Sequence, residues 1–417
     1  METAAEEVWD VADKKSIRLT YISFGWHSFF LALTMSMIDF NTVFPSLISE
    51  LSKSKLIFGA LYAILLGAPN IFNMIFSHHM RKHHYKKKYL LLGIYMRGFS
   101  FLGMSLSVIF FAKSNPMLAI TLFFLWIFIF SASAGFAGIA YSNLIAKLLS
   151  THERGQFYAT KQFVGSTASI IGGIVIGKIF KNSGFAYPYN YGIALFIGFA
   201  GLVIASLGFY AIKEPSSEIE TDDYNFLEFL KQVPEILRNN RKFLNFIIVE
   251  NISSFSLMIL PFYMVFAKDK LGVGKNYIGK YLMFQISGMV ISNLIWGYFI
   301  KRKGTKKMTG DCIIIGAILP ILAIILSNFG ANIYSFLFFI IGFVMSGRRI
   351  TFEPYLLDII PSNRRVTFLG IRGTLNILMI ILPLIGATVI KFFGYYTAFL
   401  IVSGVMFFAY YLLRKEN

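Results

Sequence analysis

The sequence predicts an all-α polytopic membrane protein: two six-helix bundles related by an internal repeat, with both termini in the cytoplasm. Three observations carry that prediction. The 417 residues are 56% hydrophobic and only 14% charged, with a mean hydropathy of +0.64, whereas a soluble chain averages about 25% charged residues. Apolar stretches recur from end to end, each long enough for the about 20 residues that a bilayer crossing needs. The punctuation also repeats: Tyr141-x-x-Leu144-Ile145, then Arg154-x-x-Phe157-x-x-x-Lys161, returns 211 positions later (141 to 352) as Phe352-x-x-Tyr355-Leu356, then Arg365-x-x-Phe368-x-x-x-Arg372. Such a repeat of about half a membrane chain is the mark of two bundles with a site between them.

The first span, 20–46, carries His27 and, in its outer half, Asp39 within Ser36-Met37-Ile38-Asp39-Phe40-Asn41-Thr42. The second, 56–77, contains Pro69; the third, 89–112, holds Arg97; the fourth, 117–146, includes Ser131-Ala132-Ser133-Ala134-Gly135. In the fifth, 157–180, Gly172-Gly173-x-x-x-Gly177 offers a smooth face for close helix approach. The sixth is 188–212. The seventh, 243–267, holds Glu250 and Pro261, and the eighth, 276–300, Gln285 and Asn293. The ninth, 309–328, contains Pro320. The tenth, 332–358, carries Arg348, Arg349, Glu353 and Pro354. The last two, 366–391 and 393–413, bring Asn376 and Pro383. Prolines are tolerated in such spans because neighbouring helices satisfy the freed backbone groups.

Between the sixth and seventh spans lies the one long polar interruption, 213–242, which opens with Glu214-Pro215-Ser216-Ser217 and stays acidic to Asp223. Phe226, Leu227, Phe229, Leu230, Val233, Ile236 and Leu237 then recur at near-helical spacing. That pattern suits a helix lying along the inner membrane face, with a partly ordered linker as the alternative. The chain therefore divides into a tail (1–18), a first bundle (19–212), a connector (213–242), a second bundle (243–413) and a short tail (414–417).

A net charge of +18 would suggest nucleic acid in a soluble protein. Here, with the N-terminus inside, 26 of the 39 Lys and Arg residues fall on the cytoplasmic side and 10 on the other, which is the positive-inside bias. The basic excess is topology, and no nucleic-acid partner is expected. The acidic start (Glu2, Glu6, Glu7, Asp10, Asp13) lacks the basic region of a cleaved signal, so the first helix should stay in the mature protein. A single cysteine, Cys312, excludes an intrachain disulfide or a Cys-rich metal site. His78, His79, His83 and His84, set among Lys and Arg, read as a basic loop facing lipid headgroups, with a metal tract as the lesser alternative.

Six plus six helices, a cytoplasmic connector and basic loops after the second and eighth spans resemble the major facilitator superfamily over about residues 18 to 413. The best local match is Gly297-Tyr298-Phe299-Ile300-Lys301-Arg302-Lys303-Gly304-Thr305-Lys306-Lys307. It is similar to the family's loop motif Gly-x-x-x-Asp-Arg-x-Gly-Arg-Arg, with Lys301 in place of the acid. The first-half loop, 78–88, keeps the basic tail and loses the glycines and the aspartate. The resemblance implies a cytoplasmic gate at Arg302 and Gly304, with Arg154 and Arg365 in the repeated segments. Since the loops hold no acid, any latch must use another, and Asp358 and Glu153 are the nearest. The family's fourth-helix arginine is absent, and its fifth-helix exporter motif lacks the proline.

Ionisable residues in apolar spans cost several kcal/mol, so each is a functional candidate. At about 1.5 Å per residue, Glu250 lies about 12 Å inward from Lys242 and Arg349 about 13 Å inward from Asp358. The resemblance makes the seventh and tenth helices cavity-lining, which implies a pair between Glu250 and Arg349 or Arg348, with Asn251, Ser254 and Glu353 nearby; a static structural ion pair is the alternative. Asp39 could take up a proton from the outer side, or cap a bend before Pro45. His27 sits at a depth similar to Glu250, as a relay or as a hydrogen-bonded core residue. Arg97 is expected to have a structural partner.

No Gly-x-x-x-x-Gly-Lys-Ser/Thr loop is present, and no nucleophile–base or metal constellation stands out. The sequence therefore predicts no enzyme and no cofactor. It predicts a secondary transporter of a small-molecule solute by alternating access, with a proton as candidate coupling ion, working as a monomer among membrane lipids in the cell (plasma or inner) membrane. The alternatives are a lipid or amphiphile flippase or drug exporter of the same fold, and a ligand sensor that moves nothing. Arg348 and Arg349 tilt the solute towards anions or zwitterions, Glu250 and Asp39 towards cations or protons.

Overall fold

The computed structural model describes residues 14–81, 83–149, 151–182, 184–216, 226–360, 368, 371–373, 375–376 and 378–415, which are overwhelmingly helical, with no strand among the described residues. The helices in order are α1 (Lys14–Met37), α2 (Val43–Leu51), α3 (Lys55–Arg81), α4 (Lys87–Phe111), α5 (Pro116–Leu148), α6 (Thr151–Lys181) and α7 (Tyr189–Tyr210). After the connector come α8 (Phe226–Asn239), α9 (Arg241–Ser253), α10 (Phe262–Leu271), α11 (Asn276–Lys303), α12 (Thr305–Leu326), α13 (Ala331–Ile359) and α14 (Leu378–Lys415). Among the described residues, nine helical stretches are long and apolar enough to cross a membrane. The chain is a multi-pass membrane protein.

Its contacts divide it into two compact units: Met1–Ile38 with Ala68–Thr221, and Asp39–Gly67 with Asp222–Asn417. Segment 39–67 thus packs with the second unit. Polar contacts hold it there: Lys55 Nζ meets Asp269 at 2.6 Å, the Tyr395 hydroxyl donates to the same carboxylate at 2.7 Å, and Lys268 Nζ reaches Ser49 Oγ at 2.8 Å and Glu50 Oε1 at 3.0 Å. These pairs are partly exposed, so each contributes at most about 1 kcal/mol.

Two spans that read as continuous are broken. The first ends at Met37 and resumes at Val43. The break belongs to Asp39, whose carbonyl accepts from the Thr42 and Phe44 amides and whose Oδ1 accepts from the Asn41 amide at 3.0 Å and Thr42 Oγ1 at 2.8 Å. A short acid that bonds the backbone just ahead of it competes with helix and starts a new one. Pro45 then sits in the first turn of α2, where no intrahelical donor is needed. The seventh span breaks after Ser253 into a 3-10 turn, Ser254–Met258, and restarts as α10 behind Pro261. Ser253 Oγ and Ser254 Oγ both donate to the Glu250 carbonyl, at 3.0 and 2.6 Å.

Bulk decides the close crossings. A Cβ on Gly342 would stand 1.9 Å from the Gln285 carbonyl oxygen, and one on Gly288 2.0 Å from that of Phe339, so α11 and α13 touch backbone to backbone. The last two predicted spans meet at Gly394, whose φ of 81° joins two helices within α14.

The aromatic cores show the repeat in three dimensions. In the first unit Phe24 packs edge-on against Phe157 at 5.5 Å, and His27 lies 5.9 Å from Tyr141. In the second, Phe243 meets Phe368 at 4.8 Å, and Phe246 lies 6.4 Å from Phe352. Phe24 and His27 each precede their counterparts by 219 positions (24 to 243, 27 to 246), and Phe157 and Tyr141 by 211 (157 to 368, 141 to 352). The connector helix α8 adds Val233, Ile236 and Leu237 to the second core. In that cluster the three lie with Phe243 and Phe368.

Candidate functional site

Glu250 sits in the last turn of α9, 3% exposed, where a bare carboxylate would be costly. Its partner is Arg372. Arg372 Nε donates to both carboxylate oxygens at 3.0 and 2.9 Å, and Nη2 donates to Oε1. This fork is the strong form of the ion pair. Asn376 Nδ2 adds a longer bond to Oε2 at 3.3 Å, and Asn251 Nδ2 donates to Asn376 Oδ1 at 3.2 Å. The helix break beyond Glu250 places this network beside backbone that has left the helical ladder, the kind of discontinuity that builds solute sites in transporters.

The expected pairing of Glu250 with Arg348 or Arg349 does not form. Arg348 reaches the end of α9 instead: Nη1 donates to the Ser253 carbonyl and hydroxyl, each at 3.2 Å, and Nη2 to Ser254 Oγ at 3.1 Å. Its guanidinium lies over the Phe352 ring at 4.5 Å. Arg349, one residue on and about 100° round the helix, is exposed, as is Glu353. Sequence reasoning missed Arg372 as a site residue. The available signal was its place in the repeat, where Lys161 holds the matching position and the charge is basic in both halves.

Asp39, half-buried, occupies the other break. Beyond its local bonds, Oδ2 accepts from Gln285 Nε2 of α11 at 2.9 Å. Gln285 is 1% exposed, and its Oε1 has no hydrogen-bond partner among the described residues. The Tyr62 hydroxyl donates to the Phe40 carbonyl beside it. Asn293 accepts from Ser346 Oγ. In the first unit, His27 is buried between Tyr141 and Phe209, Lys161 Nζ stands 4.4 Å above the Tyr141 ring, and Arg97 stacks on Phe130 at 4.5 Å. Arg97 thus meets a ring face, and its Nη2 also reaches Met35 Sδ at 3.9 Å.

At the ends of α5 and α13 the acids differ from those expected. Glu214, at the start of the connector, accepts from the Lys86 amide at 2.8 Å and the Lys87 amide at 2.7 Å, and pairs with Lys147 Nζ at 2.6 Å. Asp358 accepts from Thr305 Oγ1 at 2.6 Å within its own unit. Among the described residues, the acid on the first basic loop is thus Glu214, which caps the free amides opening α4. Arg302 is exposed over Tyr298 at 4.3 Å, and Gly304, at φ 78°, joins α11 to α12. The side chains of Glu153 and Arg154, and all of Arg365, lie outside the described residues. No group of His, Cys, Asp or Glu that could hold a metal occurs among the described residues.

The family model described as Major Facilitator Superfamily matches residues 26–286 and 243–417. No curated protein sequence matches the chain. Among solved structures, that of the nucleoside transporter NupG is similar at a TM-score of 0.69 and 15% identity, over 95% of this chain and 98% of that one. A POT family transporter in complex with 5-aminolevulinic acid gives 0.71 and 9%, over 96% of each chain. A D-xylose-proton symporter gives 0.63 and 14%, again over 96% of each. At such identities the likeness is one of fold.

Proposed function

The chain belongs to the Major Facilitator Superfamily, and from that premise we propose that it is a secondary active transporter of a small solute, working by alternating access between two six-helix bundles with both termini in the cytoplasm. It is a membrane transport protein and not an enzyme. The observation that carries the reading is the pair of helix breaks. Residues 254–261, carried back by 219, fall on 35–42, where the first helix breaks. Each break has a carboxylate beside it, Glu250 or Asp39. Broken helices at matching positions in two repeats are where transporters of this kind bind solute and coupling ion.

In this reading Glu250, Arg372, Arg348, Asn251 and Asn376 form the solute site, and Asp39 exchanges the coupling proton. The solutes of the similar transporters (nucleoside, D-xylose, 5-aminolevulinic acid) define a first panel for uptake by proteoliposomes under an imposed proton gradient. Glu250→Gln is expected to abolish gradient-driven uptake while the purified protein elutes unchanged in size. Uptake at the wild-type rate would remove Glu250 from the site.

A further inference from the structure

We infer that the transported solute carries an anionic oxygen group, a carboxylate or a phosphate, that docks on Arg348; the inference rests on the solute site proposed above. Three charged side chains meet there. Glu250 is already engaged by the Arg372 fork, so those two charges answer each other at contact range and Arg348 is left with neutral hydrogen-bond partners.

The acceptors of Arg348 are all neutral: the Ser253 carbonyl, the Ser253 hydroxyl and the Ser254 hydroxyl. Glu353 is exposed, and no carboxylate oxygen lies within hydrogen-bond distance of Arg348 among the described residues. An uncompensated guanidinium in an apolar span is expensive, and such groups mark solute pathways.

The geometry of the fork narrows the class of solute. Arg348 places its serine bonds on Nη1 and Nη2, and Nε has no acceptor among the described residues. Nη2 makes one bond and carries two protons. Nε and Nη2 share one edge of the guanidinium. Arg372 offers the same edge to Glu250, through Nε and Nη2. Two parallel N–H groups match the oxygens of a carboxylate or phosphate. The Phe352 ring, its centroid 4.5 Å from the guanidinium carbon, adds a cation–π contact that helps to hold the group in place. The serines orient Arg348 without neutralising it, so a charge-bearing partner must come from the solute.

The test is a thermal-shift titration of the purified full chain in uncharged detergent. The probes are mono- and dicarboxylates and sugar and nucleoside monophosphates, each beside its uncharged amide or dephosphorylated counterpart, with sulfate and chloride as salt controls and phosphatidylglycerol as the lipid control. At least one anion is expected to raise Tm where its neutral counterpart does not. Arg348→Gln should weaken that half-saturating concentration about tenfold to a hundredfold, the loss of charge-assisted bonds. Arg348→Lys, which keeps the charge without the fork, should fall between. Lys113→Gln, removing a charge on an exposed residue, should change nothing. The inference is overturned if only neutral compounds shift Tm, if Arg348→Gln and Arg348→Lys leave an anion's effect intact, or if phosphatidylglycerol alone acts, which would give the anion to a lipid headgroup. None of these results touches the Glu250→Gln uptake test, so the transport reading stands or falls separately.

Discussion

Lys147 and Asp358 hold the same place in the two halves, 211 positions apart (147 to 358), with opposite charge. Lys147 closes one end of its unit through Glu214 at 2.6 Å, and Asp358 does so directly on Thr305 Oγ1 at 2.6 Å. Thr305 follows Lys86, whose amide Glu214 holds, by 219 (86 to 305). One half supplies the acid from the helix end, the other borrows it from the connector.

That borrowing makes Glu214 a fastening residue. Its side chain is 3% exposed and that of Lys147 12%, so Glu214→Ala strands a buried ammonium and frees two amides. The expected cost is about 3–5 kcal/mol, read as a lowered Tm. A double variant, Glu214→Leu with Lys147→Met, should recover most of it. If the double variant is as unstable as the single one, the ion pair is not what holds this joint.

Removing one partner of the buried Glu250–Arg372 pair should hurt more than removing both. Arg372→Met leaves Glu250 without its fork, with an expected loss of about 3–5 kcal/mol. Adding Glu250→Gln to that variant should restore about half or more of the lost stability. Equal Tm values for Arg372→Met and the double variant would contradict the pairing.

At the first break, Asp39→Asn can keep the bonds from the Asn41 amide and Thr42 Oγ1, since its Oδ1 accepts as the carboxylate does. Its amide then meets Gln285, which can present Oε1 by turning its own amide over. The variant should melt within a few degrees of wild type and lose the pH-gradient dependence of uptake. Asp39→Ala loses those bonds as well and should cost about 1 kcal/mol, as for a lost helix cap.

The α11–α13 crossing tolerates no methyl group. Gly342→Ala places a Cβ 1.9 Å from a backbone oxygen, which only a shift of the helices can relieve. We expect aggregated or poorly recovered protein. Gly404→Ala, where nothing lies within 4 Å, should purify normally and serve as the control.

How much of this was legible depended on the kind of signal. Glu250 and Asp39 were legible because a charge in an apolar run is visible along one dimension. The partner of Glu250 was not: Arg372 lies 122 residues away, and choosing it over Arg348 requires the rotation of each helix about its axis. The breaks hid inside hydrophobic runs, since hydropathy averages over the few residues where a helix stops. The cues were local, in Asp39-x-Asn41-Thr42 and in Ser253-Ser254 ahead of Pro261. Glu214 escaped because an acid in a polar connector looks solvated until the amides it caps are known.

The passage of 39–67 into the second unit has a consequence for how the protein comes apart. The polypeptide crosses from one unit to the other at 38–39, returns at 67–68, inside α3, and crosses again at 221–222. The connector is therefore only one of three covalent joints between the two units. A protease nick in the connector should leave a single particle in native chromatography and two bands on a denaturing gel. Expressed alone, 243–413 would lack the strap that its lysines and Asp269 hold; supplied with the first half as a separate chain, it should recapture that strap and fold.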